Sequence, residues 1–87
     1  MLTYALVVSR PNRVDGVLSE IKAFGQDHVS KAFVVSGEYD ILAEVKAQNE
    51  ETMNELLNKI KGMEGVITMK TFPVLHKTRE MDRLPLH

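Results

Sequence analysis

Cysteine and tryptophan are absent from this sequence, and its only aromatic residues are two tyrosines and three phenylalanines. Without cysteine there are no disulfides, thiolate zinc sites, iron–sulfur clusters or thiol nucleophiles. An excess of charge of one sign is also missing: 11 lysines and arginines face 12 acidic residues, for a net charge of -1. That balance lacks the broad positive field that draws a protein onto nucleic acid, so no direct nucleic-acid partner is expected. Long apolar runs are lacking too. The stretch Leu2–Val8 contains Thr3 and Tyr4 and falls far short of the roughly 20 residues of a membrane-spanning helix. No basic residues precede it, as they would in a secretory signal. A cytoplasmic protein with no membrane partner is expected.

What remains is an ordinary globular composition: 87 residues, 44% hydrophobic and 26% charged. It predicts one domain, 1–87, with a total stability of about 4–13 kcal/mol at usual per-residue values. Leu2–Val8 is rich in strand formers and ends at the turn cluster Ser9-Arg10-Pro11-Asn12. Val14, Val17, Leu18, Ile21 and Phe24 then recur at helical spacing, giving an amphipathic helix that Gly25 closes. Residues 28–35 and 41–46 read as two strands of a hairpin. Asn49 is a natural cap for a second helix, with Glu50 and Glu51 in its first turn and Lys59 and Lys61 in its last, as the helix dipole favours. Met53, Leu56, Leu57, Ile60 and Met63 form its apolar stripe, Gly62 is expected to supply a left-handed stop, and residues 66–75 form a fourth strand.

The order is βαββαβ. A shift of 39 residues lays the first helical stripe onto the second, and also Leu2 onto Ile41, Leu6 onto Val45 and Phe33 onto Phe72. Two such units with right-handed crossovers predict an α+β, ferredoxin-like fold: a four-stranded antiparallel sheet with both helices on one face. The fourth strand falls at an edge, where Pro73 need not donate to a ladder. In the first strand Tyr4, Leu6 and Val8 are assigned to one face and Leu2, Ala5 and Val7, by a slight offset, to the other. Both faces are then apolar while helices cover one, so at least a homodimer, packed sheet to sheet, is expected. The tail, residues 76–87, offers only Met81, Leu84 and Leu86 to cover that face, and could instead add a short strand to a neighbour.

Catalytic motifs are missing: there is no Gly-x-Ser-x-Gly elbow, no phosphate-binding glycine loop and no His-Glu-x-x-His. His28, His76 and His87 lack metal spacing, and the close acids Glu38/Asp40 and Glu80/Asp82 read as a solvated turn and tail. No enzyme, metal or cofactor is predicted. Gly62-Met63-Glu64-Gly65 has the spacing of a nucleic-acid-clamping loop, but it joins a helix to a strand and places an acid where phosphate would sit. The remaining constellation is Ser36-Gly37-Glu38-Tyr39-Asp40. As a plain turn it needs only Gly37 for a positive φ and Asp40 for a turn hydrogen bond. As a site, backbone N–H groups near Gly37 suit a small anion and Glu38 or Asp40 a cation, a combination that fits a zwitterion such as an amino acid, with Tyr39 as a wall.

The run Val35–Leu42 resembles the Gly-x-Tyr-Asp signature of the ligand-binding domain of the Lrp/AsnC family, the feast/famine regulators. Met63-Glu64-Gly65-Val66 resembles that family's entry to its last strand, and Leu84-Pro85-Leu86 its ending. The resemblance implies sheet-packed dimers assembling into rings, commonly octamers, with amino-acid effectors held between dimers. Carried over by position, Gly37 contacts the effector through its backbone, Asp40 binds or orients it and Tyr39 shapes the pocket, while Ser36 and Glu38 follow by adjacency. Thr68, Lys70 and Thr71 are further pocket candidates without a motif. Regulators of this family carry an N-terminal helix-turn-helix, and here only Met1 precedes the first strand. A stand-alone effector domain acting on a full-length paralogue by mixed assembly is therefore expected. Two other readings stay open: a small dimeric α/β-barrel enzyme of monooxygenase or isomerase type, and a ligand-free oligomerisation module.

Overall fold

The computed structural model describes residues 1–75; the tail strand considered for residues 76–87 lies outside the described residues. The chain forms β1 (Leu2–Ser9), a 3-10 turn (Pro11–Arg13), α1 (Val14–Lys22), β2 (Val29–Val34), β3 (Ile41–Lys46), α2 (Glu50–Lys61) and β4 (Val66–Pro73). The strands make one antiparallel sheet in the order β2-β3-β1-β4. This is the expected ferredoxin-like α+β arrangement, with β4 at an edge and Pro73 opposite Thr3 as its last residue.

Local chemistry places each element. Pro11, with its fixed φ, opens the turn that leads into α1. Val17 and Ile21 of α1 are buried, and Phe24, beyond the helix end, still packs on the core. The Asn49 side chain accepts from the Thr52 amide at 2.8 Å, so α2 starts with one of its orphan donors satisfied. The expected left-handed stop at Gly62 is corrected: Gly62 has φ -87, its amide donates to the Asn58 carbonyl at 3.0 Å, and the chain stays right-handed there. The positive φ comes three residues later, at Gly65.

β1 alternates without an offset. Thr3, Ala5, Val7 and Ser9 are buried beneath the helices, whereas Leu2, Tyr4, Leu6 and Val8 lie on the other face. Leu2 is thus placed with Tyr4, contrary to the sequence assignment. In β3, Ile41, Ala43 and Val45 face the core. The 39-residue correspondence holds in the helices, where Val17 and Ile21 match Leu56 and Ile60 in burial. It fails in the first strands of the halves: Leu6 lies on the open face and Val45 in the core. A one-residue difference in spacing is enough, because a slip of one reverses every side chain of a strand.

Ala5, Ala43 and Ala32 align across three strands beneath the helix layer, and the larger side chains of Ile21, Ile60, Met53 and Leu56 complete the core. Among the described residues no helix lies on the opposite face. Its rows run Phe72–Tyr4–Glu44–Lys31 and Lys70–Leu6–Leu42–Phe33, with Phe33 51% and Phe72 49% exposed.

Arg13 braces the turn before β4. Its Nε donates to the Glu64 carbonyl at 3.1 Å and its Nη2 to Glu20 of α1 at 3.0 Å. Gly65 lies beneath it with φ +99, and a Cβ there would come within 2.5 Å of the Arg13 Cβ. Gly65→Ala therefore combines backbone strain with a clash and should cost more than about 2 kcal/mol. Gly25→Ala, with φ +92 but open space around it, should cost only about 1 kcal/mol. Urea unfolding of the two variants measures the difference.

Candidate functional site

The connection between β2 and β3 carries the candidate residues to one end of the sheet. Ser36, Gly37 and Glu38 are exposed, and Tyr39 and Asp40 are half-buried. Gly37 has φ +117 and nothing within 4 Å of where a Cβ would stand, so it is the backbone turn that requires glycine here. Open space above it leaves its backbone reachable.

Asp40 does something the sequence did not announce. Its amide donates to the Val7 carbonyl and its carbonyl accepts from the Val35 amide, both at 2.8 Å. Its Oδ2 accepts the Ser9 amide, also at 2.8 Å. The side-chain bond expected within the turn is instead made across to β1, where Ser9 is only 4% exposed. Asp40 thus ends the β3–β1 ladder with both its backbone and its side chain. Among the described residues no other hydrogen bond involves the Asp40 carboxylate, and no group of three His, Asp or Glu residues could hold a metal ion.

A second polar cluster, not singled out from the sequence, lies on the open face. Glu44 accepts from the Tyr4 hydroxyl at 2.8 Å and from the Ser30 hydroxyl. Ser30 sits where the β2–β3 register slips between Val29 and Lys31. The Ser30 and Tyr4 hydrogen bonds, aided by Lys31 and Lys46, hold the Glu44 carboxyl below its ordinary range. The same bond and the nearby negative charge push the Tyr4 phenol up. The signal was legible as one acid inside the apolar run Ile41–Val45. Tyr4, Lys31, Phe33, Leu42 and Glu44 line a small hollow there.

At the opposite end of the sheet from the 36–40 loop is an open cleft of about 900 Å³. Its lining includes Leu2, Asp27, His28, Lys46 and Thr52. Neither Gly37 nor Asp40 contributes to it. Thr68, Lys70 and Thr71 separate by face: Thr68 and Lys70 pair with Val8 and Leu6 of the open face, and Thr71 with Ala5 on the helix side.

Fold and loop together define a ferredoxin-like domain with one sheet face that no described helix covers and a glycine-turned loop fixed at the sheet's end. The chain belongs to the Lrp/AsnC ligand binding domain family, whose model matches residues 5–84. It is 26% identical over 86 residues to the HTH-type transcriptional regulator FL11 of Pyrococcus horikoshii, covering 99% of this chain and 56% of that protein. The chain thus spans about half the length of the curated relatives it matches. The crystal structure of TTHA0845 from Thermus thermophilus superimposes with a TM-score of 0.82 at 24% identity, over 90% of this chain and 96% of that one. The transcriptional regulator NMB0573 of Neisseria meningitidis, solved as a complex with L-Met, gives a TM-score of 0.72 at 16% identity, over 90% of this chain and 51% of that one. No helix among the described residues is long and apolar enough to cross a membrane.

Removing the carboxylate that accepts the Ser9 amide has a measurable cost. Asp40→Ala should destabilise the domain by about 1–3 kcal/mol, and Asp40→Asn, which keeps an acceptor, by less than about 1 kcal/mol; urea unfolding reads both. Glu44 adds a pH signature. Its folded value lies below its ordinary 4.5, so its contribution is present above that value and is lost as pH falls through the folded one. Stability measured down through pH 4.5 should therefore decline less steeply in Glu44→Gln than in the parent.

Proposed function

We propose that this domain senses an amino acid through the loop Ser36–Asp40 and assembles through the open face of its sheet, in the service of transcription regulation. The observation that carries the proposal is the family match over 5–84, joined to a loop in which Gly37 is turned to φ +117 with free space above it. A small carboxylate can approach backbone N–H groups closely at such a turn. Tyr39 and Glu38 stand beside it to contact the rest of a zwitterion. The L-Met complex of the Neisseria regulator supports amino acids as the ligand class.

The polarity of the open face supports assembly. Leu2, Leu6, Val8, Leu42, Phe33 and Phe72 make an apolar face that a second copy would cover, sheet on sheet. Dimers so formed would join into a ring, an octamer on the pattern the family suggests. A full-length regulator presenting the same face could enter a mixed assembly, and effector binding would then bias its equilibrium by a coupling of about 1–3 kcal/mol.

Two measurements test this reading. A thermal-shift screen against the standard L-amino acids should give a stabilisation with one or a few, since ligand at about 100 times Kd adds roughly 2.7 kcal/mol. No shift with any of them, in a folded protein, would sink the sensing role and favour a bare oligomerisation module. Leu6→Glu, which places a charge at the centre of the open face, should weaken self-association by about 100-fold or more in light scattering. An unchanged molar mass would show that another surface holds the assembly.

A further inference from the structure

We infer that Asp40 is a positioning residue, which shapes the effector loop and ties it, through Ser9 and Arg10, to the turn before β4. The inference rests on the effector role proposed for the loop. Three of the polar functions of Asp40 are committed within the chain: its amide to Val7, its carbonyl to Val35 and its Oδ2 to the Ser9 amide. A ligand ammonium that drew this carboxylate away would strand a buried N–H, so the carboxylate serves the loop's shape ahead of the ligand's charge.

The far side of the same two residues is held as well. The Arg10 amide donates to the Gly65 carbonyl at 2.8 Å, on the side of β1 that faces β4. The β1–β4 register slips between Val8 and Ser9, which leaves Ile67 outside the pairing and 61% exposed. The neighbouring Glu64 carbonyl is held by Arg13, which in turn reaches Glu20 of α1. Ser9 and Arg10 are therefore a short bridge with Asp40 on one flank and the 64–66 turn on the other. A change in the loop that moves Ser9 moves the start of the edge strand β4.

Two arms test the inference, and they fail separately. In the ligand-free protein, amide exchange and chemical shifts are compared by NMR for the parent, Asp40→Ala and Asp40→Asn. Asp40→Ala should speed exchange at Ser9 by about tenfold or more and shift the amides of Arg10, Gly65 and Val66, while Asp40→Asn stays close to the parent. Unchanged exchange at Ser9, or unmoved signals at Gly65 and Val66 in Asp40→Ala, would overturn the tie. With an amino acid identified by the thermal-shift screen as probe, Asp40→Asn should bind within about threefold of the parent and Asp40→Ala at least about tenfold more weakly. Equal losses in the two variants would mean that the carboxylate charge meets the ligand, and would overturn the positioning role. If no amino acid binds the parent, the sensing function fails while the exchange data still judge the tie.

Discussion

Two helices of nine and twelve residues can cover one face of a four-stranded sheet and no more. That limit organises everything else in the molecule. The covered face is built from small and branched side chains, Ala5, Ala43 and Ala32 in a row with Val7, Ile41 and Val45 around them, onto which the helices press Ile21, Ile60 and Leu56. The uncovered face carries side chains of a different kind: two phenylalanines, a tyrosine and several leucines, with Glu44 held among them by Tyr4 and Ser30. A carboxylate is tolerated there because both its oxygens are engaged by hydroxyl groups of adjacent strands.

Much of this arrangement is legible in the sequence. Helical periodicity and caps locate α1 and α2, and Pro73 locates the edge strand, because these signals depend on residues close in sequence. The face of Leu2 is misread because alternation in a strand is unforgiving: one assumed offset sends a residue to the wrong side. The left-handed residue falls at Gly65 rather than Gly62, and two glycines flanking the same turn look alike to a local reading. The demand for glycine at Gly65 is reinforced from far away in sequence, because the Arg13 side chain lies directly over it and leaves no room for a Cβ.

The candidate loop shows the same division. Gly37 and its positive φ are legible, since only glycine adopts that conformation freely. The bond from Ser9 to Asp40 is not, because it joins residues 31 apart and depends on β1 lying beside β3. A turn that looks self-contained in sequence is thereby attached to the centre of the sheet.

That central position of β1 also bears on how the chain folds during synthesis. One edge of β1 pairs with β3, whereas the other waits for β4, whose first residue, Val66, lies opposite Ser9. Val66 follows Ser9 by 57 positions (66 − 9), which at ordinary translation rates take about 3–11 s to emerge. Throughout that interval the β4-facing edge of the apolar strand Leu2–Ser9 is a free template for any other extended segment, a hazard that ends only when β4 pairs with it.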